Sequence, residues 1–261
     1  MLKSIPLIDF EKGIFYNIHR KPEKTVQYNQ TLWRYSKMLE KLIVMLTHND
    51  VTVKDAKEIF EENKDLPVTN WGFKDVGLEP EKMKELCGMM KAAGKTTFLE
   101  VVTYSEEECM RGAKLAVECG FDCLLGTLFY DSVAEYVKTT NLKYYPFVGK
   151  VSQSPSILEG SCDFMLEQAE KFKAAGACGV DLLGYRYVEG DPNVLSAAFI
   201  KASCIPTVLA GSIGSEERML LVKQMDPAYF TMGSALFTKN FVKDGSFRDN
   251  LKAVVDFLQK Q

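Results

Sequence analysis

Histidine and tryptophan are scarce in this chain, with two of each in 261 residues. Two imidazoles cannot furnish a histidine-rich metal centre, and the seven cysteines (87, 109, 119, 123, 162, 178 and 204) contain no Cys-x-x-Cys pair. No metal site of the usual zinc kind is expected, and the thiols read as reduced side chains of a cytoplasmic protein. No apolar run approaches the length of a membrane span, and residues 1–10 lack the apolar centre of a signal peptide. Neither sign of charge is in excess: 32 basic against 35 acidic side chains leave a net −3, which offers no basic field to nucleic acid. The cluster Arg20, Lys21 and Lys24 is diluted by Glu23 and reads as a solvated surface. A glycine-rich loop is also missing behind the first strand-like run, where Thr47-His48-Asn49-Asp50 stands instead. That absence argues against an open doubly wound sheet. With no nucleotide or flavin motif legible, no cofactor is expected.

What the chain does hold is a regular alternation beginning at residue 42. Strand-like runs at 42–47, 67–74, 96–103, 121–126, 144–150, 177–183, 205–210 and 229–232 are each followed by a helical segment. Thr52 is read as the cap of the first helix, Ser105 with Glu108 as a capping box, and Pro80 as a first-turn proline. A longer loop is expected at 152–161. Strand–helix units repeated in this way predict an α/β fold, a (β/α)8 TIM barrel spanning residues 42–261. Residues 1–41 are expected to be an N-terminal extension, helical and packed on the barrel. The spacing of Leu32, Tyr35, Met38, Leu39 and Leu42 predicts a helix near 29–41, and 13–18 could add a short strand. Such a helix could plug the barrel or cover a dimer surface, so a homo-oligomer is one expectation.

In a barrel the chemistry gathers where strands run into their following helices. Strands seven and eight end in Gly211-Ser212-Ile213 and Gly233-Ser234, where bare backbone N–H groups beside helix starts suit a phosphate. The other ends hold His48 and Asp50, Lys74 and Asp75, Glu100, Thr127, Lys150, Asp181 and Arg186. Glu100 and Asp181 lie in apolar runs, either to move a proton or to pair with Lys74, Lys150 or Arg186. Lys150 is expected to point into the mouth, as a desolvated nucleophile or as a clamp on an oxyanion. Lys74 with Asp75 is read as a proton-transfer pair or as a plain turn before Gly77. His48 is read as an acid–base group or as a packed ring, Arg186 as an anion grip between two tyrosines, and Thr127 as a substrate contact. The implied ligand is a small anionic, phosphorylated molecule.

Ala210-Gly211-Ser212-Ile213 together with Phe230-Thr231-Met232-Gly233-Ser234-Ala235-Leu236-Phe237 resembles the ribulose-phosphate-binding class of barrels. That class includes the phosphoribosyl isomerase of histidine biosynthesis, the pentose-phosphate epimerases and the sugar-phosphate decarboxylases. The resemblance implies that Gly211, Ser212, Gly233 and Ser234 hold a substrate phosphate. It does not extend upstream. Lys150 stands at the fifth strand where those isomerases carry an aspartate, and Phe73-Lys74-Asp75-Val76-Gly77 is a fragment of the decarboxylase pattern. The expectation is an enzyme of carbohydrate metabolism: a sugar-phosphate isomerase or epimerase working through an enediolate. A Schiff-base aldolase using Lys150, or Lys74, and a non-catalytic phosphate-ligand barrel are the alternatives.

Overall fold

The computed structural model describes residues 6–9, 14–17 and 38–260. Strands β1 (Pro6–Asp9) and β2 (Ile14–Asn17) pair antiparallel in a two-stranded sheet, so the short strand expected at 13–18 forms. Of the helix expected at 29–41, residues 38–41 fall among those described; 38–40 are helical and Lys41 is a turn.

The barrel begins with β3 (Leu42–Met45), followed at once by a tight hairpin of β4 (Thr47–His48) and β5 (Val51–Thr52), then α1 (Ala56–Asn63). Next come β6 (Asn70–Lys74), α2 (Pro80–Ala92), β7 (Thr96–Val101), α3 (Glu106–Cys119), β8 (Cys123–Gly126) and α4 (Asp131–Lys138). The fifth barrel strand, β9 (Lys143–Tyr145), leads into a second hairpin, β10 (Lys150–Ser152) with β11 (Ile157–Glu159), and then α5 (Cys162–Ala174). The rest is β12 (Val180–Leu182), α6 (Pro192–Ala202), β13 (Thr207–Leu209), α7 (Glu216–Met225), β14 (Tyr229–Met232), the single turn α8 (Ser234–Phe237) and α9 (Phe247–Lys260). The eight barrel strands are all parallel, and β14 returns to pair with β3. Between β9 and β12 the ring is closed by a bridge of Phe147 with Asp181, through Asp181 N–H to Pro146 O (2.8 Å) and Val148 N–H to Asp181 O (3.1 Å).

Alternation along the strands sorts side chains into an interior and a helix-facing shell. Ile43, Met45, Phe98, Cys123, Leu125, Tyr145 and Val208 pack together inside the barrel, with Tyr229 against them. Trp71 and Phe73 face outward into the larger core, where they meet Phe60 and Phe121 edge-on at 5.2 and 5.1 Å between ring centroids. Gly72 is required between them. A Cβ there would sit 2.7 Å from Phe98 O and 3.0 Å from Phe98 Cβ, so its absence is what lets the Phe98 ring fill the barrel. Lys74 and Glu100, opposite one another in the β6–β7 register, bring charge to the interior face nearest the C-terminal mouth.

Local sequence explains the helix boundaries. Ser105 accepts from Glu108 N–H (3.3 Å), and Gly120 closes α3 in the left-handed conformation at φ +80°. Thr52 departs from expectation. It lies in β5 rather than capping α1, which begins after Asp55. The fifth strand also stops earlier than expected, at Tyr145, and the supposed loop at 152–161 is largely the β10–β11 hairpin, with Lys150 at its first position.

Candidate functional site

A cavity of about 250 Å³ opens at the C-terminal ends of the strands. One wall is backbone, from residues 210–214 after β13 and 231–235 at the end of β14 and just beyond; Thr238 and Asn240 flank it. The facing wall carries Asp50, Lys74, Glu100 and Arg186, with Met45 and Leu183 as apolar filler and Ser156 at the rim.

The backbone wall is braced from behind. Asn240 Nδ2 donates to Gly214 O (3.0 Å), and Thr238 Oγ1 donates to Asn240 Oδ1 (2.8 Å). A Cβ on Gly214 would meet Asn240 Nδ2 at 2.9 Å and Ala235 Cβ at 3.0 Å, so glycine there lets the two loops touch. Gly211 and Ser212 both take left-handed backbone, at φ +95° and +52°. Arg218, capped into α7 by Ser215, donates through Nη1 to Ser212 O and lays its guanidinium 4.3 Å from the Tyr185 ring centroid. Among the described residues the N–H groups of Ile213, Gly214, Ser234 and Ala235 donate to no protein acceptor. Converging donors of this kind can take an oxyanion.

The charged wall is built around Lys74. Thr52 Oγ1 donates to Lys74 O (2.8 Å) and accepts from Lys74 N–H (2.9 Å), which fixes the strand end. Lys74 Nζ donates to Asp50 Oδ1 (2.9 Å) and stands 3.8 Å from Glu100 Oε1; Arg186 Nη2 is 3.8 Å from the same Asp50 oxygen. Asp50 reaches back because Asn49 and Asp50 are both left-handed (φ +50° and +62°), the geometry of a tight two-residue hairpin. Burial opposes the charge on Lys74, but Glu100 and Asp50 together outweigh it and raise its pKa, so the ammonium stays protonated. Asp50 is likewise penalised by burial, yet the Lys74 hydrogen bond and the Lys74 and Arg186 charges hold its carboxyl below the usual value.

Of the residues singled out from sequence, Asp50, Lys74, Glu100, Arg186, Gly211, Ser212, Ile213, Gly233 and Ser234 come together at this cavity. The others do not. Lys150 is exposed on the β10–β11 hairpin with Nζ 5.8 Å over the Phe164 ring, so the expectation that it points into the mouth is corrected. His48 packs against Phe237 at 5.5 Å, and its buried Nδ1 has no partner among the described residues. Thr127 is sealed, its hydroxyl 2.7 Å from Tyr144 Oη. Asp181 is wholly buried inside the barrel and does not reach the cavity lining. Both its carboxyl oxygens lack hydrogen-bond partners among the described residues, and burial, then the Glu100 charge, push its pKa well above the ordinary carboxylate value. Ser156, Thr238 and Asn240 escaped the sequence reading and Thr52 was read only as a cap: Thr52, Ser156 and Asn240 act through contacts distant along the chain, and Thr238 acts by bracing Asn240.

Asp75 lies off the lining as well. Burial, and after it the Glu100 charge, raise its pKa to about 6. A carboxyl that titrates higher when folded binds its proton more tightly in the native state, so its contribution weakens the fold as pH rises from about 4 to 6. Asp75→Asn is therefore expected to stabilise the protein by up to about 3 kcal/mol at pH 7 and to change little below about pH 4. Urea unfolding at the two pH values checks this.

No family model and no curated protein matches this sequence. Solved structures do match in fold. An oxidised active mutant of (S)-mandelate dehydrogenase aligns with TM-score 0.59 and 10% identity over 84% of this chain and 74% of that one. A mutant of mandelate oxidase with the monooxide FMN adduct aligns with TM-score 0.57 and 12% identity over 84% and 72%. FabK from Thermotoga maritima aligns with TM-score 0.52 and 15% identity over 79% and 61%. These likenesses establish the TIM-barrel fold. They overturn the expected sugar-phosphate isomerase or epimerase, together with its aldolase and non-catalytic alternatives and its place in carbohydrate metabolism: two of these barrels are by name a mandelate oxidase and an (S)-mandelate dehydrogenase, and none of the three is named as an isomerase or epimerase. The site agrees with that correction. Lys150 lies outside the mouth, and Lys74 is held in the protonated form that cannot attack a carbonyl.

Proposed function

We propose that this barrel is an oxidoreductase that holds flavin mononucleotide by its phosphate. The observation that carries the reading is the backbone wall, whose residues 213, 214, 234 and 235 have N–H groups without a protein acceptor among the described residues and line the same cavity as Lys74 and Arg186. The mandelate oxidase of like fold bears an FMN adduct. The donor set fits this group. Ile213, Gly214, Ser234 and Ala235 would hold the phosphate, and Lys74 would lie beside the ring system as a fixed positive charge. At about 250 Å³ the cavity is smaller than the usual range for ligand pockets of about 300–1,000 Å³, so the rings require displacement of Ser156 at the rim.

Bound flavin supplies a two-electron acceptor and donor that the side chains cannot. The chain's own groups would do the remaining work. Lys74 Nζ, locked by Asp50 and by the Thr52 clamp on its backbone, keeps a cation at one place in the mouth. Arg186 can hold an anionic group of the substrate. Glu100 Oε1 is the carboxylate oxygen placed to accept a proton from a substrate O–H.

Titration with FMN, followed by flavin fluorescence, tests the reading. Binding at micromolar concentration or tighter is expected, with riboflavin, which lacks the phosphate, much weaker. Ser234→Asp would set a carboxylate against the phosphate on an exposed residue, and is expected to weaken FMN binding by about a hundredfold without lowering Tm. Equal affinity for FMN and riboflavin, or binding of neither, would sink the proposal.

A further inference from the structure

We propose that the β10–β11 hairpin is a lid on the mouth, with Ser156 as its ligand-facing residue and Tyr104 as the latch that holds it shut. This rests on the mouth being the ligand site, as above, but not on the ligand being a flavin.

The base and the tip of the hairpin are secured differently. At the base, Gly149 N–H donates to Gln168 Oε1 and Gly160 N–H to Glu189 Oε2, each at 2.6 Å. Leu158 bridges to Tyr187, and Val188 N–H donates to Leu158 O (3.1 Å), which ties the returning strand to the segment that carries Arg186. At the tip, residues 153–156 meet the Tyr104 hydroxyl, which donates to Gln153 O (2.6 Å) and lies 2.9 Å from Ser156 Oγ. With its one proton given to Gln153, the phenol oxygen accepts from Ser156, and the serine lone pairs stay open to the cavity that Ser156 lines. Tyr104 is itself held, because its carbonyl accepts from Tyr130 Oη (2.7 Å). It does not line the cavity, so it is a positioning residue and not a binding one. The volume argues in the same direction. At about 250 Å³ the mouth is tight for a ligand of ordinary size, and the tip is the rim element whose side-chain ties run through one hydroxyl, so it is the part that yields to make room.

Tyr104→Phe removes that hydroxyl and leaves the ring and the Tyr130 bond in place. Two measurements on the free protein read the latch. Amide exchange across residues 150–159 is expected to quicken by about tenfold, the size of effect that losing hydrogen bonds of ordinary strength produces. Acetylation of Lys74, which is 7% exposed behind the tip, is expected to quicken by a similar factor while exposed Lys114 does not change. Tm should stay within a few degrees of wild type, since Tyr104 leaves the core intact. Wild-type rates at both the hairpin and Lys74 would overturn the lid, as would a uniform rise at every lysine, which marks general loosening. Protection of Lys74 by FMN in wild type is scored separately: its failure counts against the flavin reading and does not touch the latch result.

Discussion

Lys74→Met is expected to be the most damaging single substitution in the molecule. It strands Asp50 and Glu100 in a mouth where Lys74 is the cation they share. Removing one member of a buried charged cluster costs about 3–5 kcal/mol, and the partial exposure of Asp50 places the expected loss at the lower end. On the proposed flavin reading, turnover should fall by about a hundred- to a thousandfold, the scale set by deleting one aimed electrostatic contact. Lys74→Arg should not rescue it, because a planar fork cannot replace a compact ammonium between two carboxylates. The pH dependence has a definite sign. Asp50 titrates below its ordinary value in the fold, so its contribution is present above about pH 4 and fades as pH falls through its folded pKa. Lys74 titrates above its ordinary value, so its contribution is complete at neutral pH and fades only in strong alkali. The stability gap between wild type and variant should therefore be full at pH 7 and narrow in acid, as denaturant melts at both would show.

Asp181→Asn should act in the opposite direction and make the protein more stable. The native state binds a proton at Asp181 that the unfolded chain releases above about pH 4, so the wild-type residue costs stability increasingly as pH rises through the neutral range. An amide cannot ionise. The variant is expected to be the more stable of the two at pH 8, because it has no proton to lose, and to lose that advantage near pH 4. Equal melts for the two proteins at pH 8 would show that Asp181 ionises in the fold after all.

How much of this was legible depends on the range of the contacts involved. Apolar runs, proline starts and Gly-Ser ends are local signals, and they placed the eight barrel strands and the backbone wall with residues 211–213, 233 and 234. Lys150 misled because a parallel strand is defined by its neighbour's ladder and not by its own apolar run. The ladder stops at Tyr145, the backbone turns at Gly149 with φ +89°, and the lysine starts a hairpin of the other kind. Asp50 was visible as a carboxylate just past the first strand, but its reach to Lys74 depends on two successive left-handed residues, neither of them glycine. Ser156 meets Tyr104 across 52 positions of chain, a contact without any sequence signature. Thr52 reads as a helix cap because its hydroxyl can accept a helix N–H, but in the fold that hydroxyl is taken up by the Lys74 backbone.

The brace of Asn240 against Gly214 has a consequence for the order of binding. With both loops locked to one another before any ligand arrives, the anchoring wall loses little conformational entropy on occupation, whereas the opposite rim, tied through a single phenol, must surrender and regain its order. An anionic end group should thus dock into a rigid socket and the remainder of the ligand settle afterwards. Relaxation measurements with and without ligand would then find residues 210–214 and 231–235 equally quiet in both states, and residues 153–156 changed.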